Sequence, residues 1–120
     1  MKKLRYTILA CVFLLKFHAQ TSVITNTILV KGNCGECKER IENAADIKGV
    51  KHAVWSETSQ VLTITFNSKK VTLQKIEMAI AKVGHKTSNQ MADTTAYKAL
   101  PNCCKYESTD CKKKWYVLNY

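Results

Sequence analysis

The chain has 120 residues, 46% of them hydrophobic and 23% charged, a balance that argues against disorder and against an all-membrane protein and leaves room for one modest core. Its formal charge of +10 falls to +6 when Lys2, Lys3, Arg5 and Lys16 of the N-terminal segment are set aside. The remaining lysines are scattered except for Lys112 to Lys114, and no aromatic residues interleave with them, so nucleic acid is not expected as a partner. Six cysteines in so short a chain exceed what packing needs and point to disulfides, metal or redox chemistry.

Residues 1–20 begin with the basic cluster Lys2, Lys3 and Arg5, continue through the apolar run Tyr6 to Leu15 and break at Lys16. This is the pattern of a secretory signal peptide. The apolar run is too short to span a hydrocarbon core, which takes about 20 residues. Cleavage is expected near Ala19 or Gln20, giving a periplasmic or secreted protein with no stable membrane insertion afterwards; the alternative is an uncleaved amphipathic or anchoring helix. Cys11 follows Ile8, Leu9 and Ala10, a faint lipoprotein-box likeness, but apolar Val12 to Leu15 would then follow the lipid site.

Residues 25–88 read as the folded domain. Thr25 to Lys31 is rich in β-branched residues and predicts a strand. From Gly35 to Ile47, the residues Cys37, Ile41, Ala44 and Ala45 fall at helical spacing, with Gly49 as a stop. Val50 to Trp55 and Gln60 to Phe66 alternate around a turn at Ser56 to Ser59 and predict an antiparallel hairpin. Thr72 can cap a helix with the buried stripe Leu73, Ile76, Ala79, Ile80 and Val83, ended by Gly84. His85 to Ser88 then suffices for a short edge strand. The order βαββαβ predicts an α+β, ferredoxin-like domain, a four-stranded antiparallel sheet with two helices on one face.

Cys34 and Cys37 lie between the first strand and the first helix, in Gly32-Asn33-Cys34-Gly35-Glu36-Cys37. The unpaired N–H groups of a helix N-terminus favour thiolates there, and paired thiolates select Cu(I), Zn(II) or softer ions over Mg(II) or Ca(II). Cys34 is expected in the loop and Cys37 in the first helical turn, with the motif on a loop edge and outside the apolar stripes. A structural disulfide between them is the competing reading.

With this motif in this element order, the chain resembles the heavy-metal-associated domain family, which includes copper chaperones, N-terminal modules of copper-transporting ATPases and mercuric-ion periplasmic carriers. The match runs from Thr25 to Ser88 through Gly32, Cys34, Cys37, Gly49-Val50 and Gly84. The resemblance implies that Cys34 and Cys37 are the metal ligands, that Cu(I) is the foremost cargo with Hg(II) or Zn(II) as alternatives, and that the partner is a metal-transporting membrane protein or another metal carrier. Two positions depart from the pattern. Asn33 stands where the family has a methionine and one further residue, and His85 replaces the aromatic residue after Gly84. In the family fold that loop lies beside the metal, so His85 is a candidate third ligand; its alternative is a solvated loop histidine. His52, mid-strand with no cysteine nearby, reads as structural.

Residues 89–120 form a cysteine-bearing and largely irregular tail, with a short helical stretch from Thr94 to Leu100 before Pro101. Cys103 or Cys104 bonded to Cys111 is one reading of its cysteines. The stretch Asp93 to Tyr106 also resembles a tail of secreted bacterial family members, which implies Cys103 and Cys104 as auxiliary metal ligands. Met91 can offer a thioether but more often packs, and Trp115 to Tyr120 can add a strand or dock on the domain. No catalytic base, triad or cofactor loop is visible, so a non-enzymatic carrier is expected. The rivals are a thiol-disulfide oxidoreductase using the same pair and a small module in which every cysteine is structural.

Overall fold

In the computed structural model the described residues are 21–108; residues 1–20, where a signal peptide is expected, and Cys111 and the residues from Trp115 to Tyr120 lie outside them. Strand β1 (Val23–Leu29), helix α1 (Gly35–Ala45), strands β2 (Val50–Trp55) and β3 (Val61–Asn67) and helix α2 (Leu73–Lys82) follow the expected order, and the tail adds helix α3 (Thr94–Ala99) and a 3-10 turn (Asn102–Cys104). Among the described residues no helix is long and apolar enough to cross a membrane.

The three strands form an antiparallel sheet in the order β1-β3-β2. β3 is central because its alternation is the cleanest: Leu62, Ile64 and Phe66 are buried, while Thr63 and Thr65 point to the other face, the two-residue period of a strand with one wet side. Ile28 pairs with Leu62, and Trp55 pairs with Leu62 from the opposite edge. A register irregularity between Val50 and His52 turns Ala53 and Trp55 inward, and His52 is exposed.

Both helices cover the same face. α1 contributes Cys37, Ile41 and Ala45, one residue per turn along a single stripe, and α2 contributes Ile76, Ile80 and Ala81. Each fully buried aliphatic side chain is worth about 1.5–3 kcal/mol against exposure. α2 starts where Thr72 accepts a hydrogen bond from the Lys75 N–H at 3.3 Å, the expected cap.

The fourth strand is shorter than expected. Residues 86–88 do lie along the free edge of β1, but the pairing is one antiparallel bridge between Val30 and Thr87, with Lys31 N–H donating to the Lys86 carbonyl at 2.9 Å. Side chains take over the remaining bonds. The Ser88 hydroxyl accepts from Leu29 N–H at 3.0 Å, and Glu77, only 2% exposed, accepts from the Thr87 hydroxyl at 2.5 Å, from Asn89 N–H at 3.1 Å and from the Asn89 side chain at 3.0 Å. A polar residue on the buried stripe of α2 thus bends the chain into a turn, closed by Thr87 N–H to the Gln90 carbonyl at 2.9 Å, before a ladder can extend.

The tail then packs on the end of α2. Asp93 N–H donates to the Ala81 carbonyl at 2.9 Å, and the Asp93 carboxylate caps α3 through Ala96 N–H at 2.8 Å. Gly84 has φ +97, and a Cβ there would come within 3.0 Å of the α3 backbone at Ala96 and Tyr97, so glycine is required both for the turn and for the close approach of α3.

Glu77→Ala leaves the buried Thr87 hydroxyl without its acceptor and unties the exposed Asn89 from α2, and should destabilise the protein by roughly 1–3 kcal/mol. Glu77→Gln, which keeps part of the acceptor set, should lose less. Urea denaturation of the three proteins measures this; an unchanged midpoint in Glu77→Ala would show that the carboxylate does not organise the edge.

Candidate metal centre

The first two thiols are set by the β1–α1 connection. After Val30 the chain crosses the Trp55 indole, which donates from Nε1 to the Val30 carbonyl at 3.0 Å. At Gly32 an added Cβ would meet the indole at 2.9 Å and the Cys37 Cβ at 3.1 Å, so only glycine lets the loop lie this close. Gln60 donates to the Gly32 carbonyl at 2.8 Å. Cys34 occupies the N-cap of α1 with extended backbone and makes no side-chain cap bond, which leaves its sulfur available. Asn33 N–H donates to Cys37 Sγ at 3.4 Å, and Cys34 Sγ stands 3.4 Å from Cys37 Sγ.

Cys37 departs from the expectation of a motif outside the apolar stripes. It is fully buried and belongs to the hydrophobic core, because the third residue after the N-cap of this helix already faces the sheet. Cys34 alone of the pair is partly exposed.

A third sulfur arrives from the tail. Leu100 before Pro101 is extended, as proline requires of its predecessor, which ends α3 and starts the 3-10 turn, closed by Cys104 N–H to the Pro101 carbonyl at 2.8 Å. Tyr106 anchors the far side of this turn: its hydroxyl donates to the Gly84 carbonyl and accepts from Lys86 N–H, both at 3.0 Å. Cys104, fully buried, thereby comes to rest with Sγ 3.6 Å from Cys34 Sγ. The sulfurs of Cys34, Cys37 and Cys104 all lie within 4.8 Å of one another. Cys103 sits at the edge of this trio, its Sγ 3.9 Å from Cys104 Sγ and 3.5 Å from Glu36 Oε2, so that Glu36, Cys103 and Cys104 form a second group able to hold an ion; the four described cysteines are free thiols.

His85 is neither solvated nor part of these ligand groups. It is completely buried, its Nδ1 lies 2.7 Å from the Lys31 carbonyl, its ring stacks on Tyr106 at 5.7 Å, and its Nε2 has no hydrogen-bond partner among the described residues. Burial, with the Arg40 charge adding to it against the pull of the Lys31 carbonyl, holds the imidazole below its ordinary pKa and therefore neutral. Met91 is 73% exposed, away from a packing role.

Two helix residues at the site carried no signal in the sequence reading. Arg40 donates from Nη1 to Cys104 Sγ at 3.3 Å, and Glu36 faces Cys103; their i, i+4 spacing puts them on one face of α1, which periodicity alone could have flagged. Burial opposes ionisation throughout the cluster. At Cys34 it is outweighed by the Cys37 backbone N–H and by neighbouring thiols, which bring this thiol below its ordinary value. At Cys37 burial prevails and raises the pKa. Cys103 and Cys104 are pushed up to about 12, first by burial and then by adjoining sulfurs. The apo cluster thus favours one thiolate, at Cys34, and a bound cation would be needed to support more.

No family model matches the sequence, and no curated protein does. Solved structures do. A candidate copper-ion-binding protein from Bacillus anthracis str. Ames is 25% identical, covers 57% of this chain and all of its own, with TM-score 0.54. The CopZ metallochaperone is 26% identical over 53% of this chain and 98% of its own, with TM-score 0.52. Oxidized MerP from Ralstonia metallidurans CH34 is 27% identical over 57% of this chain and 99% of its own, with TM-score 0.53. Each is matched over nearly its whole length by the βαββα core that in this chain presents the paired cysteines, and this similarity supports a heavy-metal-associated (HMA)-like family for the chain, with a cysteine-bearing tail folded onto the domain.

Proposed function

We propose that this protein binds a soft heavy-metal ion through Cys34 and Cys37 and passes it to a metal-transporting membrane protein or another carrier, outside the cytoplasm once the segment 1–20 has been removed. The observation that carries this reading is the 3.4 Å approach of two free thiols at a helix N-terminus. The soft sulfur donors of Cys34 and Cys37 favour Cu(I), with Hg(II) and Zn(II) as the alternatives to be compared. Similarity to a metallochaperone and to a candidate copper-ion-binding protein supports carriage over catalysis. Binding starts at Cys34, whose thiol ionises most readily and is partly exposed; the ion then replaces the Cys37 proton, and transfer follows by exchange of these sulfurs for those of the recipient. Export is supported by the charged, apolar and polar succession of residues 1–20.

Anaerobic titration of reduced full-length protein with Cu(I), Hg(II) and Zn(II) against competing chelators tests the assignment. Cys34→Ser and Cys37→Ser should each lower Cu(I) affinity by more than the roughly 10–100-fold typical of losing an outer-shell partner. Circular dichroism should be unchanged for Cys34→Ser, whereas Cys37→Ser buries a hydroxyl in the core and should cost about 1–3 kcal/mol of stability. Unchanged affinity in both variants would refute the site. Turnover of a disulfide substrate by the reduced protein would instead favour thiol-disulfide exchange.

The order of ionisation is separately checkable. In metal-free reduced protein at mildly alkaline pH, iodoacetamide should modify Cys34 ahead of Cys103, although both are partly exposed, because the alkylating species is the thiolate. Peptide mapping reads the order, and equal rates would contradict it. Cu(I) affinity should weaken as pH falls, since protons compete for the same sulfurs.

A further inference from the structure

We infer that Cys104 is a third thiolate ligand to the cargo held by Cys34 and Cys37, so that the tail turn closes a three-sulfur site and the Cys104 sulfur has to be displaced before the ion leaves. This rests on the carrier reading and deepens it.

Three observations converge. Cys104 lies 70 residues from Cys34 in sequence, yet its sulfur is 3.6 Å away and fully buried. The spacing suits three ligands. A metal ion about 2.3 Å from each of three sulfurs in a plane holds them about 4 Å apart, whereas a linear pair at that bond length needs about 4.6 Å; the observed separations of 3.4 and 3.6 Å lie nearer the trigonal value. Charge is also provided for. Three thiolates around one monovalent ion carry two net negative charges, and the Arg40 guanidinium, 3.3 Å from Cys104 Sγ, together with the N-terminal end of α1 supplies positive potential on that side.

The turn is held as a lid would be. It is tied to the domain through the two hydrogen bonds of the Tyr106 hydroxyl, to Gly84 and Lys86, and through buried Leu100. With Cys37 and Cys104 both buried, a recipient's thiolate reaches the ion only from the Cys34 side or by displacing Cys104. The consequence is slow release until a partner competes for the third position.

X-ray absorption at the copper edge on reduced, full-length, Cu(I)-loaded protein tests this without any variant. Three sulfur neighbours are expected in the wild type and two in Cys104→Ser, with transfer to a chelator about tenfold faster or more in that variant. Cys103→Ser should resemble the wild type in both measurements. Two sulfurs in the wild type would overturn the inference, as would three in Cys104→Ser, which would give the third position to another cysteine. If Cys34→Ser and Cys37→Ser lose Cu(I) while Cys104→Ser behaves as wild type, the third ligand is rejected and the carrier reading stands. Retention of Cu(I) in Cys34→Ser and Cys37→Ser would reject the carrier reading itself.

Discussion

Trp55 at the end of β2 is the side chain around which the site is assembled. Its indole is almost fully buried, and its Nε1 must find an acceptor there, which it does at the Val30 carbonyl. Its backbone is held from the other side, N–H to the Glu42 carboxylate at 2.8 Å and carbonyl to the Lys38 ammonium at 2.8 Å. One residue therefore joins the β1 exit to the middle of α1. The loop carrying Cys34 has to pass over the ring, and Gly32 is the residue that lets it do so. Lys38 and Glu42 form an i, i+4 pair, worth little on an exposed helix, but their bonds to the Trp55 backbone give them a positioning task.

A consequence of this clamp is that Cys37 serves the core and the site together. Packed against the sheet, it cannot swing outward, so the sulfur pair has one fixed member and one adaptable member at the N-cap. An arrangement of this kind holds the donor geometry before any ion arrives, which reduces the ordering cost of binding. It also divides the electrostatics. Burial works against negative charge at Cys37, while Cys34 gains from backbone and thiol donors, so the first anion forms at the thiol that solvent reaches.

The tail is part of the same core. Leu100 and Cys104 are buried with the residues of the sheet and helices, and Tyr97, Cys103 and Tyr106 pack against them. Tyr106 meets Tyr97 edge-on at 5.0 Å and stacks on His85, so a tail side chain covers the histidine that follows Gly84. Burial favours the neutral ring, whose Nδ1 bonds the Lys31 carbonyl while Nε2 has no hydrogen-bond partner among the described residues.

Much of the fold could be read from local pattern. The period-two alternation of Leu62, Ile64 and Phe66, the helical spacing of Cys37 and Ile41 and of Ile76 and Ile80, and the placement of Cys34 at a strand-to-helix junction are properties of neighbouring residues, and local backbone geometry dictates them. The short fourth strand was harder, because Glu77 looks like a surface residue until its partners Thr87 and Asn89 fold over it. The tail was hardest. No spacing rule relates Cys104 to Cys34 or to Arg40, since their meeting depends on Asp93 docking at the end of α2, on Gly84 admitting α3, and on Tyr106 bonding across to Gly84 and Lys86. The sequence by itself determined the order of elements and the Cys34–Cys37 pair, because both follow from contacts between near neighbours in the chain. Only the tertiary structure decided that a third sulfur and a guanidinium join that pair, because those contacts exist only after distant segments have buried their apolar surface against one another.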